Sequence, residues 1–227
     1  MNDSVLHLLL TSTPSLLEGF GWNVFIAVCA VALGSSLGAL LAWLRVRRHG
    51  RPAAIATRVS TVLGSVPTLA LIFYAVFVLP NEIVVPGLGL AIQVPPWAKA
   101  VLGLAASPLS FTAESLVVAH RNYRKGDIDA AMLFIPTWIN VFLISFVASS
   151  ASSLVGVSEL VSRCNTLIAT AGTSVMVPVY LYCSFWFVAS SLLFTAMINR
   201  LKRSRFMART HRRMALAHAA SAAHTPA

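Results

Sequence analysis

Charge is scarce in this chain. Of 227 residues only 11% are Asp, Glu, Lys or Arg, against about a quarter in an ordinary soluble domain. Acidic residues number seven. Only three lysines occur, Lys99, Lys125 and Lys202. None is followed by Ser or Thr, so a G-x-x-x-x-G-K-[ST] phosphate loop is excluded. Three cysteines, Cys29, Cys164 and Cys183, show no CxxC spacing and read as small buried hydrophobes. Neither an HExxH motif nor a Cys/His cluster is present, which speaks against a metal site. The opening residues, MNDSVLHLLLTSTPS, lack a basic leader, so the first apolar helix is expected to act as an uncleaved insertion signal.

What remains is apolar. Hydrophobic residues make up 57% of the chain, and the few charges are clustered, leaving long uncharged runs between them. Trp22 to Leu44 is free of charge. As a helix it would reach roughly 34 Å, enough for a hydrocarbon core of about 30 Å. The remaining runs place further spans at 59–79, 97–119, 135–157 and 178–198. The expected fold class is therefore an all-α membrane protein with five transmembrane helices. Residues 1–15 are expected to form an external segment, 16–200 the membrane domain, and 201–227 a basic tail whose low-complexity end, AHAASAAHTPA, is expected to be disordered.

Within the spans, Ala30, Gly34, Gly38 and Ala42 repeat every four residues, a spacing that lets a neighbouring helix come close. Pro67 is expected to kink the second span or mark an irregular start. Residues 80–96 are rich in Pro and Gly and read as an external loop with a short re-entrant or interfacial piece. Trp97 opens the third span at the position of an aromatic belt. Ser145, Ser149 and Ser153 share one face of the fourth span. Such a stripe reads either as helix packing or as one wall of a permeation path. Glu114 is a carboxylate in an apolar helix, which marks a functional residue unless it reaches water at the nearby inner surface.

Orientation follows from the cations. Fifteen of the 17 lie in the loop after the first span, in the 120–131 loop and in the tail, and only Lys99 and Arg163 fall on the other side. By the positive-inside rule the N-terminus is external and the C-terminus cytoplasmic. The net charge of +10 is thereby a matter of topology. No basic face with interleaved aromatics points to nucleic acid, and the tail is suited to anionic lipid headgroups.

Thr112 to Ala131, TAESLVVAHRNYRKGDIDAA, carries the most specific pattern. Glu114 is followed by Gly126, Asp127, Asp129, Ala130 and Ala131 at a spacing that resembles E-x11-G-Q-x-E-A-A, the ATPase-holding segment of ABC importer permeases of the polar amino-acid uptake family. The stretch 64–80 is similar to that family's R-G-T-P-L-L-V-Q-L-F-F-I-Y-Y-G-L-P, keeping Pro67, Leu69, Phe73, Leu79 and Pro80 but carrying Gly64-Ser65 and Leu71 in place of its polar residues. Residues 135–140, IPTWIN, resemble L-P-x-L-x-N, ending on Asn140. Residues 147–160 resemble K-D-T-S-L-V-S-V-I-G-V-S-E-L through Ser150, Ser153, Gly156, Val157, Ser158, Glu159 and Leu160.

The resemblance implies a type I ABC importer permease-like bundle in the bacterial inner membrane. Such a subunit carries amino acids or similar small polar solutes and is not itself an enzyme. ATP and magnesium would sit on a separate ATPase docked at Gly126, Asp127, Asp129, Ala130 and Ala131, with no cofactor on this chain. The path would run past Glu114, Asn140, Ser145, Ser149 and Ser153, between this chain and a second copy or a sister permease, fed by an extracytoplasmic solute-binding protein. One departure matters: only Met132, Leu133, Phe134 and Ile135 separate Ala131 from Pro136, so the coupling loop is shortened. The alternative is a divergent membrane subunit or scaffold that has lost ATPase coupling.

Overall fold

The computed structural model describes residues 2–48, 50–85 and 90–202, together with residues 212, 214 and 216. Helices dominate. They are α1 (Asn2–Arg47), α2 (Arg51–Ser65), α3 (Thr68–Val78), α4 (Pro96–Arg124), α5 (Ile128–Met132), α6 (Phe134–Ala148), α7 (Leu160–Ala171) and α8 (Met176–Lys202). A 3-10 segment, Ser149–Val155, continues α6, and a shorter one, Thr173–Val175, precedes α8. The expected external loop contains an antiparallel hairpin, β1 (Glu82–Val85) paired with β2 (Leu90–Gln93), in the register Glu82 opposite Gln93 and Val85 opposite Leu90. The β-branched residues of EIVV and the LAIQ segment, separated in sequence by a stretch containing Pro86 and Gly87, are the sequence signal for it.

Among the described residues, four stretches are long and apolar enough to cross a membrane: Val5–Arg47, Pro96–Arg124, Ile128–Val155 and Thr173–Arg200. They take in the expected spans 22–44, 97–119, 135–157 and 178–198, apart from the last two residues of the third of these runs. The expected span at 59–79 falls on two helices, and the kink or irregular start expected at Pro67 is a full break between them. α2 and α3 meet at 103°, so they form one broken span or a re-entrant pair. Pro67 is the cause. Its ring excludes the residue before it from helical dihedrals, and Val66 is extended at φ −89°, ψ 131°. Residues 2–15 continue α1 without interruption, with Pro14 inside the helix. Of the expected basic tail, 201–227, the first two residues end α8 and nearly all the rest lie outside the described residues.

α4 is the centre of the bundle. Its face from Lys99 to Ala113 is buried beneath α1, α2 and α3. The expected small-residue face of α1 is what permits this. A Cβ on Gly34 would collide with the Ala105 carbonyl, and one on Gly38 with the Leu109 carbonyl. α3 crosses α4 at Gly103, where an added Cβ would lie 2.5 Å from Ile72 Cα. Ile26, Ala30, Ile72, Ala100, Val101, Leu104 and Ala105 form the resulting core. A second cluster joins the first half of α1 to α7 and α8 through Leu16, Leu160, Cys164, Val175, Val179 and Cys183. Cys164 and Cys183 are buried as expected and are also joined to each other by a disulfide, which the sequence spacing did not suggest. α8 turns Leu181, Phe185, Val188, Leu192 and Leu193 outward, more than half exposed, as a lipid-facing helix should.

Because backbone meets backbone at Gly34, Gly34→Leu should cost at least about 1–3 kcal/mol by overpacking. The measurement is thermal unfolding of the purified chain in detergent. Leu40→Ala, on the exposed face of the same helix, should leave the transition within about 0.5 kcal/mol of wild type.

Candidate functional site

The turn between α4 and α5 is built by two linked caps. Gly126 sits at φ 84°, in the left-handed region. Its N–H donates to the Tyr123 carbonyl at 3.0 Å, and the Asp127 N–H donates to the Asn122 carbonyl at 3.0 Å. That pair of bonds is the Schellman arrangement that ends a helix on glycine. Asp127 then starts the next helix, accepting from the Ala130 N–H on Oδ1 at 2.9 Å.

α5 is amphipathic despite its length. Ile128, Ala131 and Met132 are buried, on the spacing of a single helical face, and Ala130 is half-buried. Gly126, Asp127 and Asp129 are exposed. The structure therefore brings the five expected docking residues into one turn, with both carboxylates on its open side. Leu133, 62% exposed, is all that separates α5 from α6. Two hollows flank the turn. One of about 520 Å³ is apolar, lined by Tyr123, Met132, Phe134 and Ile135 among others. The other, about 290 Å³, is lined by Glu114, Asn122, Leu133 and Thr137 among others.

The expected path residues are not gathered along one wall. Glu114 belongs to an ion pair with Arg45, the two joined by bonds of 2.5 and 3.0 Å. Ser60 Oγ donates to the same carboxylate at 2.9 Å, and Ser110 Oγ donates to the Ser60 carbonyl at 2.7 Å. This clamp ties α1, α2 and α4 together, while the Glu114 side chain stays 46% exposed and faces the smaller hollow. Ser145 and Ser149 are buried inside the bundle, Ser153 is half-buried and bonded to the Ser150 carbonyl, and Asn140 is exposed.

Two buried polar features went unread in the sequence. The first is Asn23 with Glu159, both fully buried. Asn23 Nδ2 donates to Glu159 Oε2 at 2.9 Å and to Ser149 Oγ at 3.1 Å. Glu159 caps α7, accepting from the N–H groups of Val161 and Ser162. Burial raises its carboxyl above the ordinary carboxylate value, and the three N–H donors from Val161, Asn23 and Ser162 pull the other way. The second is Lys99, 2% exposed, whose Nζ donates to the Leu79 carbonyl and to Asn81 Oδ1, both at 2.7 Å, closing the end of α3. An asparagine opening an apolar helix and a lysine inside one were the available signals. Among the described residues no group of three or more His, Cys, Asp or Glu side chains is placed to hold a metal ion.

No protein-family model matches the chain. A solved structure does, described as the crystal structure of an amino acid ABC transporter with histidines. The two chains superpose with a TM-score of 0.70 over 86% of this chain and 96% of that one, at 16% identity. This protein has that transporter chain's fold. The helical bundle is therefore a known architecture, met here at low sequence identity.

Removing the Glu114 carboxylate leaves Arg45, 14% exposed, without its partner. Glu114→Ala should lower unfolding free energy by about 1–2 kcal/mol, less than for a fully buried pair because the carboxylate is half in solvent. The double variant with Arg45→Ala should cost less than the sum of the two single changes, which a double-mutant cycle on unfolding in detergent measures.

Proposed function

We propose that this chain is the membrane-spanning permease subunit of an ATP-driven importer for amino acids or similar small polar solutes. The observation that carries the reading is the shared fold with the amino acid ABC transporter chain over nearly the full length of both. The α4–α5 turn supports it independently. Asp127 and Asp129 are presented outward on a short helix anchored by Ile128, Ala131 and Met132, a rigid knob by which a motor could move α4 and α6.

Topology supports the same reading. The two cations on the sparsely charged side both have structural duties, Lys99 at the end of α3 and Arg163 bound to Glu18, Ser15 and Ser158. On the span order expected from the sequence, the remaining fifteen belong to the loops and tail on the side of the acidic turn, which under the positive-inside rule would be the cytoplasm. The disulfide packs against the first half of α1, toward the opposite side, where an oxidising compartment would preserve it. We place the protein in a bacterial inner membrane on these grounds. ATP and magnesium would be held by a separate ATPase docked at Gly126, Asp127, Asp129, Ala130 and Ala131. A second copy or a sister permease would complete the path, and an external solute-binding protein would choose the cargo.

A second reading, a membrane subunit or scaffold without ATPase coupling, is favoured by one observation. α5 has five residues and passes into α6 after a single residue, leaving little surface for a partner to seat on. Copurification separates the two. The first reading expects an ATPase to come down with the tagged chain from native membranes, and Asp129→Lys to reduce its recovery by about tenfold or more. No ATPase with either chain supports the scaffold. Cysteine placed at residue 127 or 129 should react with a membrane-impermeant reagent in inverted vesicles and not in intact cells, and the opposite result would overturn the orientation.

A further inference from the structure

The joint between α6 and α7 has an unusual construction. Ser149–Val155 is wound as a 3-10 helix for seven residues, although this form rarely exceeds three or four because its hydrogen bonds are poorly aligned. Ser149, Ser150 and Ser153 each donate to the carbonyl three residues back, at 2.7 to 2.9 Å. The segment ends at Gly156, φ 87°, with the Val157 N–H returning to the Ser152 carbonyl at 3.1 Å. Nothing lies within 4 Å of where a Gly156 Cβ would be, so space for a turning backbone is open there. The buried Ser152 hydroxyl has no hydrogen-bond partner, which makes this winding less than fully satisfied.

One side chain grips both ends of the joint. Asn23 of α1 donates to Ser149 Oγ at its start and to Glu159 Oε2 beyond its end, and it accepts from the Leu160 N–H at 3.2 Å. Further along α7, Arg163 bonds Glu18, the Ser15 carbonyl and Ser15 Oγ, all on α1. Between these helices lies a hollow of about 580 Å³, lined by Thr11, Ser12, Ser15, Arg163, Thr166 and Thr170 among others. On its other flank α7 is fastened to α8 by the Cys164–Cys183 disulfide.

We propose that α7 is a hinged flap over the hydroxyl-lined hollow, flexing at Ser149–Gly156 and held shut by Asn23, with Arg163 and Glu18 as the outer catch. Release of Asn23 frees both ends of the joint together, because the same amide holds them. The disulfide makes the first turns of α8 follow the flap. Local opening of this kind takes less free energy than global unfolding, because the rest of the bundle stays folded. The inference concerns motion within one chain and does not depend on whether that chain engages an ATPase.

Amide hydrogen exchange of the full chain in lipid nanodiscs tests it. Asn23→Ala should speed exchange at residues 157–171 about tenfold, the effect of losing buried hydrogen bonds at a local closure, while residues 100–113 of α4 keep wild-type protection. Arg163→Ala should speed the same segment to a smaller degree. Equal exchange in Asn23→Ala and wild type overturns the proposal. So does acceleration spread evenly over α4 and α7, which would make Asn23 a general element of the fold. If Asn23→Ala does not fold, Ser149→Ala, which removes one grip and leaves Glu159 its donor, is judged by the same two segments.

Discussion

Close approach of α1 to α4 is the constraint on which the rest depends. Gly34 and Gly38 put the backbone of one helix against carbonyls of the other. Hydrocarbon gives helices no hydrophobic reason to associate, so van der Waals contact at short range and polar ties must supply it. Once α1 lies on α4, the other elements have their places. α3 crosses at Gly103, Arg45 comes within reach of Glu114, and Trp138 of α6 donates to Ser35 of α1 at 2.8 Å.

The polar side chains divide into those that hold the bundle and those on the open face of a turn. Glu114, Arg45, Ser60 and Ser110 join three helices near one end of the bundle. Asn23 and Glu159 join α1 to the α6–α7 joint at another level. Lys99 closes the end of a half-helix whose last carbonyls have no further turn to accept them. Each is a group whose exposure to lipid would be costly, and each has a partner on another element. Asp127 is exposed and serves as a cap, so its place in the turn is explained by local structure, and any recognition it supports is additional. The disulfide and Arg163 belong with the holding group, fastening α7 on both flanks.

Much of the architecture was legible because long uncharged runs have few solutions. The runs at 22–44, 97–119 and 178–198 fall inside single helical stretches, and that at 135–157 inside one to within two residues, since a backbone in lipid must satisfy its own hydrogen bonds. The Ala30–Ala42 repeat announced a close neighbour, and α4 is that neighbour. Pro67 announced a break, but one proline cannot set its angle. The 103° turn depends on α2 and α3 packing on different parts of α4. The pairing of Glu82–Val85 with Leu90–Gln93 was obscured by the Pro and Gly between them in the sequence, residue types that suit a loop equally well.

Composition and run length thus determined, without any coordinates, a helical chain with several stretches long and apolar enough to cross a membrane. Tertiary structure alone decided which partners the polar residues meet. A glutamate near the end of an apolar helix reads the same with or without a cation beside it, and the one beside Glu114 is Arg45, far away in the chain and adjacent in space. The serine stripe likewise gives no sign in the sequence that Asn23, on another helix, bonds Ser149. Partners distant in sequence leave no periodicity behind, because hydrogen bonds between helices are set by the fold and not by the spacing along either strand of the pair.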